Sequence, residues 1–141
     1  MSLESDLIRD EGLVLKPYRC TANKLTIGVG RNLDDNGLRY NEILSLINGD
    51  KSRKQRFSLV LNKVPKDELE DIMIQDFVDF GISKEEALFL LRNDIEDCKK
   101  ALISYLPWTY KAPDELKKIL LNMTFNMGIV KLLTFKNTLK Y

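Results

Sequence analysis

The chain has 141 residues, 44% of them hydrophobic and 30% charged, which is enough for one soluble globular domain with a real core, in one or two lobes. No stretch reaches the roughly 18 uncharged apolar residues of a membrane span, and Met1–Glu11 carries Glu4, Asp6, Arg9 and Asp10 where a signal peptide is apolar, so a start in a cytoplasm is expected. The net charge of +1 exerts little pull on polyanions, and the absence of histidine removes Ser-His-Asp, Cys-His and His-dependent zinc chemistry.

Any chemistry therefore falls to carboxylates, thiols and hydroxyls. Two cysteines, Cys20 and Cys98, have the spacing of neither a disulfide framework nor a metal site. In chain order, Leu3, Leu7 and Ile8 share one face of a short helix that Gly12 ends in a left-handed cap, which places Glu11 in the last turn. From Tyr18 to Val29 the composition turns to Tyr, Thr, Ile and Val around Thr21-Ala22-Asn23-Lys24, the pattern of a hairpin with Cys20 and Thr26 across from each other. Gly28 and Gly30 flank a strand end where a ligand or another backbone can come close. Asp34-Asp35-Asn36-Gly37 marks a turn.

Ile43, Leu44 and Ile47 then give a short helix closed by Gly49-Asp50. A basic run from Lys51 to Lys66 and an acidic run from Asp67 to Asp79 read as a solvated surface or a mobile insert, with an auxiliary contact to an anionic polymer as the lesser reading. A faint repeat relates residues 36–50 to 80–94. Ser83 and Glu86 form a capping box, and Ala87, Leu88, Leu91, Ile95, Cys98, Leu102 and Leu106 continue an apolar stripe, so a long helix spans Lys84 to Tyr105. Pro107-Trp108 breaks it. Pro113-Asp114 starts another, with Leu116, Ile119, Leu120, Met123 and Met127 inward and Gly128 closing it.

Three residues stand out as a possible site. Glu11, Cys20 and Thr26 supply an acid at a helix end and, on the hairpin that follows, a nucleophile or base and a hydroxyl, which suits a glycosidase that protonates a leaving oxygen from one side of the sugar and works from the other face. Asp10-Glu11-Gly12-Leu13-Val14-Leu15-Lys16-Pro17-Tyr18 with Leu25-Thr26-Ile27-Gly28-Val29-Gly30 resembles the phage-type lysozymes of glycoside hydrolase family 24, with Cys20 in place of the usual aspartate. Leu121-Asn122-Met123-Thr124-Phe125-Asn126-Met127-Gly128 resembles their core helix, and Thr134-Phe135-Lys136-Asn137-Thr138-Leu139 the short helix after it.

The resemblance implies an α+β, mainly helical lysozyme-like fold: a small β lobe over about 13–37, a charged insertion over 38–80, and a helical lobe over 81–141 that is shortened at its C-terminus relative to the family. It implies hydrolysis of the β-1,4 bond between N-acetylmuramic acid and N-acetylglucosamine, with Glu11 as acid, Cys20 as nucleophile or base, and Thr26 positioning water. Asn32, Phe125, Asn126 and Thr138 would line the saccharide groove. No cofactor or metal is implied. Arg31 and Asp94 occupy positions of a partly exposed ion pair worth about 1 kcal/mol or less. The biological role would be that of an endolysin, monomeric, waiting in the host cytoplasm and dependent on a holin or similar membrane-permeabilising protein to reach peptidoglycan. Two rivals remain: a catalytically inactive peptidoglycan-binding relic, and a nucleic-acid-binding module built on residues 51–66.

Overall fold

A computed structural model describes residues 2–134. These fall into two compact units, one formed by residues 11–90 and the other by residues 2–10 with 91–134. The fold is α+β and mainly helical, as the sequence implies.

The first unit carries a three-stranded antiparallel sheet, in the order β1 (Val14–Arg19), β2 (Leu25–Gly28), β3 (Arg31–Asn32). The β1–β2 ladder is irregular between Val14 and Tyr18, where Pro17 has no N–H to give. Behind the sheet lie helices α2 (Tyr40–Asn48), α3 (Lys51–Phe57) and α4 (Lys66–Phe80) and the start of α5 (Lys84–Tyr105). Their inward residues Ile43, Leu46, Ile47, Phe57, Leu69, Met73, Phe77 and Leu90 form one core with Ile27, Leu33 and Leu38.

The charged segment differs from its expected form. It is ordered as helices α3 and α4, and two of its charges are inside: Arg53 is 1% exposed and Asp76 is 6% exposed. Arg53 donates from Nε to Asp76 Oδ2 at 3.1 Å, from Nη1 to the Leu46 carbonyl at 3.3 Å and from Nη2 to the Gly81 carbonyl at 3.2 Å, and it also pairs with Glu86. A basic run followed by an acidic run shows that a segment is polar, but not that some of its charges satisfy one another in the interior. The remaining lysines, Lys51, Lys54, Lys63 and Lys66, are exposed, as the sequence suggests.

The faint repeat acquires a physical meaning from these contacts. Arg31 donates to Glu42 from both terminal nitrogens, at 3.0 and 2.7 Å, and reaches the carbonyls of Gly37 and Leu90 at 3.1 and 3.4 Å. Glu42 and Glu86 are equivalent in the repeat, as are Gly37 and Gly81, and Leu46 and Leu90. Each arginine therefore holds the glycine carbonyl and the glutamate of one copy together with the leucine carbonyl of the other. Each glutamate also accepts a backbone N–H at its helix start, Arg39 to Glu42 at 2.9 Å and Ser83 to Glu86 at 2.8 Å. Arg31 is 3% exposed, not partly exposed as expected, and within its own unit its partner is Glu42.

Gly81 connects these helices to the sheet. Its φ of 76° and ψ of −169° belong to glycine, a Cβ there would lie 2.7 Å from the Leu15 carbonyl, and the next amide, Ile82 N–H, donates to that carbonyl at 2.8 Å. Gly81→Ala is expected to destabilise the protein by about 2 kcal/mol or more through strain and backbone clash, read as a lower urea midpoint at unchanged slope.

The second unit contains α1 (Leu3–Glu11) as far as Asp10, α5 from Leu91 onward, a 3₁₀ turn at Pro107–Lys111 and α6 (Asp114–Thr134). Leu102, Leu106, Leu120 and Leu132 form its buried centre. Lys118 pairs with Asp6 at 2.9 Å and Arg92 with Glu4 at 2.9 Å, fastening α1 within this unit. The Ser83–Glu86 capping box, the bounds of α5 and the break at Pro107 match expectation. Gly128, at φ 81° and ψ 156°, interrupts α6 where a stop is expected. Ile119 departs from the inward stripe and is 55% exposed, because Leu116 and Leu120 already set the buried side of that turn. Cys98 is half-buried, and burial followed by the nearby Asp94 charge pushes its thiol up to about 11. Both cysteines are free thiols.

Candidate active site

Glu11, Cys20 and Thr26 all lie in the sheet-bearing unit, Glu11 just before β1 and the other two along the hairpin. Glu11 closes α1, and Gly12 follows with φ 80°, so the chain turns at once into β1. On β2, Thr26 lies at the centre of a row, with Tyr18 of β1 opposite on one side and Asn32 of β3 on the other. This corrects the expected facing pair. Cys20 lies two residues beyond Tyr18, on the same face of the strand and diagonal to Thr26. The register is set by the turn, in which Cys20 N–H donates to the Lys24 carbonyl at 3.0 Å and Asn23 N–H to the Cys20 carbonyl at 2.8 Å.

Gly30 explains why the β2–β3 turn carries glycine. It has φ 75°, and a Cβ there would sit 3.3 Å from Glu11 Oε2 and 3.5 Å from its carboxyl carbon. The carboxyl group of Glu11 therefore packs directly over the backbone of this turn. The sequence suggests a close approach at Gly28 or Gly30; the structure supplies the partner at Gly30, the side chain of Glu11.

The Cys20 thiol is held below the ordinary cysteine range, chiefly by the backbone N–H of Lys24, then by the Thr26 hydroxyl and the backbone N–H of Ala22, with partial desolvation opposing them. Amide donors around a sulfur favour its anionic form. The sequence points to Arg19 or Lys24 as the cations that would lower it. The structure assigns those charges elsewhere: Arg19 pairs with Asp34 at 2.7 Å and Lys24 with Asp35 at 3.1 Å.

Thr26 is 5% exposed and donates its hydroxyl hydrogen to the Lys24 carbonyl at 3.0 Å. It has one proton and two acceptors in reach, that carbonyl and the Cys20 sulfur. In either arrangement the oxygen keeps lone pairs to accept a hydrogen bond from water.

The residues assigned to the saccharide groove are distributed differently. Asn32 uses both ends of its amide in the following turn, accepting from Asp35 N–H at 2.8 Å and donating to Asp35 Oδ2 at 3.0 Å. Phe125 and Asn126 belong to the other unit, on α6; Phe125 is half-buried and Asn126 is exposed, its amide donating to the Asn122 carbonyl at 3.0 Å. Thr138 and the short helix expected around it, beyond Thr134, lie outside the described residues.

A carboxylic acid at a helix end and, on the adjoining hairpin, a thiol of lowered pKa and a hydroxyl are groups from which general acid–base or nucleophilic chemistry can be built. The phage lysozyme family model matches residues 9–139. The "Probable T4-type lysozyme 1" of Dictyostelium discoideum is 32% identical over 142 residues, covering 99% of this chain and 73% of that protein. The chain belongs to the phage lysozyme family, and with it to the muramidase-type glycoside hydrolases.

Proposed function

We propose that this chain hydrolyses the β-1,4 bond between N-acetylmuramic acid and N-acetylglucosamine in bacterial peptidoglycan. The observation that carries the reading is the Cys20 thiol set among turn amides beside Thr26, and the resemblance to the family implies that this is the place of its catalytic aspartate. Glu11 gives its proton to the glycosidic oxygen as the bond from that oxygen to the anomeric carbon breaks. The Cys20 thiolate then acts in one of two ways. As a base it takes a proton from water while the water oxygen bonds to the anomeric carbon; as a nucleophile it forms a carbon–sulfur bond that water, deprotonated by Glu11, later cleaves. Thr26 accepts a hydrogen bond from the water in both cases.

Substrate-binding roles are proposed for Asn32, Phe125, Asn126 and Thr138. The biological role we propose is host-cell lysis by a monomeric endolysin, held in the bacterial cytoplasm until a holin or similar protein opens the membrane. No helix among the described residues is long and apolar enough to cross a membrane. Expression of the protein without a membrane-permeabilising partner is therefore expected to leave cells intact until the membrane is lesioned.

The test is reducing-end release from purified peptidoglycan as a function of pH. Cys20 must be ionised to act, and its pKa lies below that of an ordinary thiol, so activity is expected to rise with pH through that lowered value. Cys20→Asp should remove this rising limb and Cys20→Ser should abolish release. Full release by Cys20→Ser would demote the thiol to a bystander, and binding without release by folded wild-type protein would make the chain an inactive peptidoglycan-binding relic.

A further inference from the structure

Resting on the reading of Cys20 as a catalytic group, we propose that Asp34, assisted by Asp35 and Asn32, is a positioning residue that clamps the hairpin beside Cys20 and Thr26 and so holds the turn presenting the thiol.

The geometry is specific. One oxygen of Asp34, Oδ2, accepts from Leu25 N–H at 2.9 Å and from Arg19 Nη1 at 2.7 Å. Arg19 and Leu25 are cross-strand partners, and they immediately precede Cys20 and Thr26. The same carboxylate thus closes the last rung before the turn from both strands. Arg19 Nη1 extends to the Asn23 carbonyl inside the turn at 3.3 Å, and Lys24 Nζ at the turn's far end is held by Asp35 Oδ1 at 3.1 Å. Asn32 fixes Asp35 through both ends of its amide. The loop after β3 therefore grips the Cys20 turn on both sides.

Such a brace adds to the two backbone hydrogen bonds of the turn, Cys20 N–H to the Lys24 carbonyl and Asn23 N–H to the Cys20 carbonyl, where side-chain burial contributes little. Thr21, Ala22 and Asn23 are exposed, Cys20 and Lys24 are only half-buried, and Asn23 adopts a positive φ of 60°. No apolar burial anchors these residues, yet the amides of Ala22 and Lys24 reach the sulfur only while the turn keeps its present form.

The titratable groups to consider are Tyr18, Arg19 and Lys24 on the hairpin, Asp34 and Asp35 on the adjoining loop and Glu11, the proposed acid, with Thr26 as the neutral neighbour. Two consequences of losing Asp34 oppose each other. Loosening the turn withdraws amide donors and raises the thiol pKa, whereas freeing the Arg19 charge lowers it. The sign of the change therefore distinguishes a brace from a counter-ion.

The experiment measures the rate of Cys20 alkylation by iodoacetamide against pH in the full chain, with Cys98→Ser in every protein so that one thiol reports. Asp34→Ala is expected to slow alkylation at pH 7 by about threefold or more, and to lower kcat on soluble murein fragments with KM nearly unchanged. Asp34→Asn, whose side-chain oxygen can still accept from Leu25 N–H, should recover most of both. If Asp34→Ala does not fold, Asp35→Ala carries the test, with slower alkylation expected from release of Lys24. Alkylation that is unchanged or faster in these variants overturns the proposal. Slower alkylation in a protein whose wild type releases no reducing ends leaves the brace standing and removes the catalytic reading beneath it.

Discussion

Glu11→Gln is expected to lower reducing-end release from peptidoglycan by about two to four orders of magnitude, the usual worth of a positioned general acid. Glutamine keeps the shape and the hydrogen-bonding reach of the side chain but has no proton to give to a departing sugar oxygen. The surroundings make it a clean substitution. The carboxyl lies against the Gly30 backbone, 3.3 Å from where a Cβ would stand, and an amide of the same size fits that space. Folding should therefore be unaffected, and the urea midpoint should stay at the wild-type value. Binding should survive as well, so a sedimentation assay on insoluble peptidoglycan should retain the variant as it retains wild type. Loss of release with retained binding assigns the proton transfer to Glu11. Release within about tenfold of wild type would place the general acid elsewhere. Gly30→Ala offers a second approach to the same carboxyl: the added methyl meets Glu11, and the backbone φ of 75° is unfavourable for alanine, so activity should fall even though no titratable group has been removed.

Much of this site was legible in the sequence because its cues are local. Gly12 after Glu11 ends a helix at the acid. The turn residues after Cys20 and the β-rich composition around Thr26 give the hairpin, and the glycines at 28 and 30 mark a close approach. The long helix α5 was equally clear, since its capping box and apolar stripe are properties of neighbouring residues. What the sequence withheld depends on contacts between distant segments. Nothing in the basic and acidic blocks of residues 51–79 tells which of their charges point inward, so Arg53 and Asp76 read as surface. The strand register, which puts Tyr18 rather than Cys20 opposite Thr26, is decided by the bonds of the Cys20–Lys24 turn and by the irregular ladder before Tyr18. Asp34 and Asp35 read only as turn residues, and their pairing with Arg19 and Lys24 reverses the expected source of the thiol's low pKa. The repeat of 36–50 in 80–94 was visible as a pattern without a cause. In the structure, equivalent positions of the two copies hold two buried arginines, Arg31 and Arg53.

That arginine pairing carries the largest expected effect on stability. Arg31→Met is expected to destabilise the sheet-bearing unit by about 3–5 kcal/mol, the cost of removing one member of a buried ion pair. Arg31 and Glu42 are 3% and 0% exposed as side chains and meet through two short bonds. Methionine fills a similar volume but leaves the Glu42 carboxylate without its guanidinium and takes a donor from the carbonyls of Gly37 and Leu90. The Arg39 amide still reaches Glu42 Oε1, but the two hydrogen bonds of the Arg31 guanidinium are lost. Adding Glu42→Gln should recover a large part of the loss, because the uncompensated charge is then gone while the acceptor for Arg39 remains. A double-mutant cycle on urea midpoints, at constant slope, would read the coupling directly. Additive single effects would show that Arg31 stabilises the fold by packing alone. Arg31 also opens β3, paired with Ile27 and next to Asn32, so its loss should reach the site through the third strand. In that case Arg31→Met loses activity on warming well before wild type does, whereas Glu11→Gln is inactive at every temperature at which it is folded.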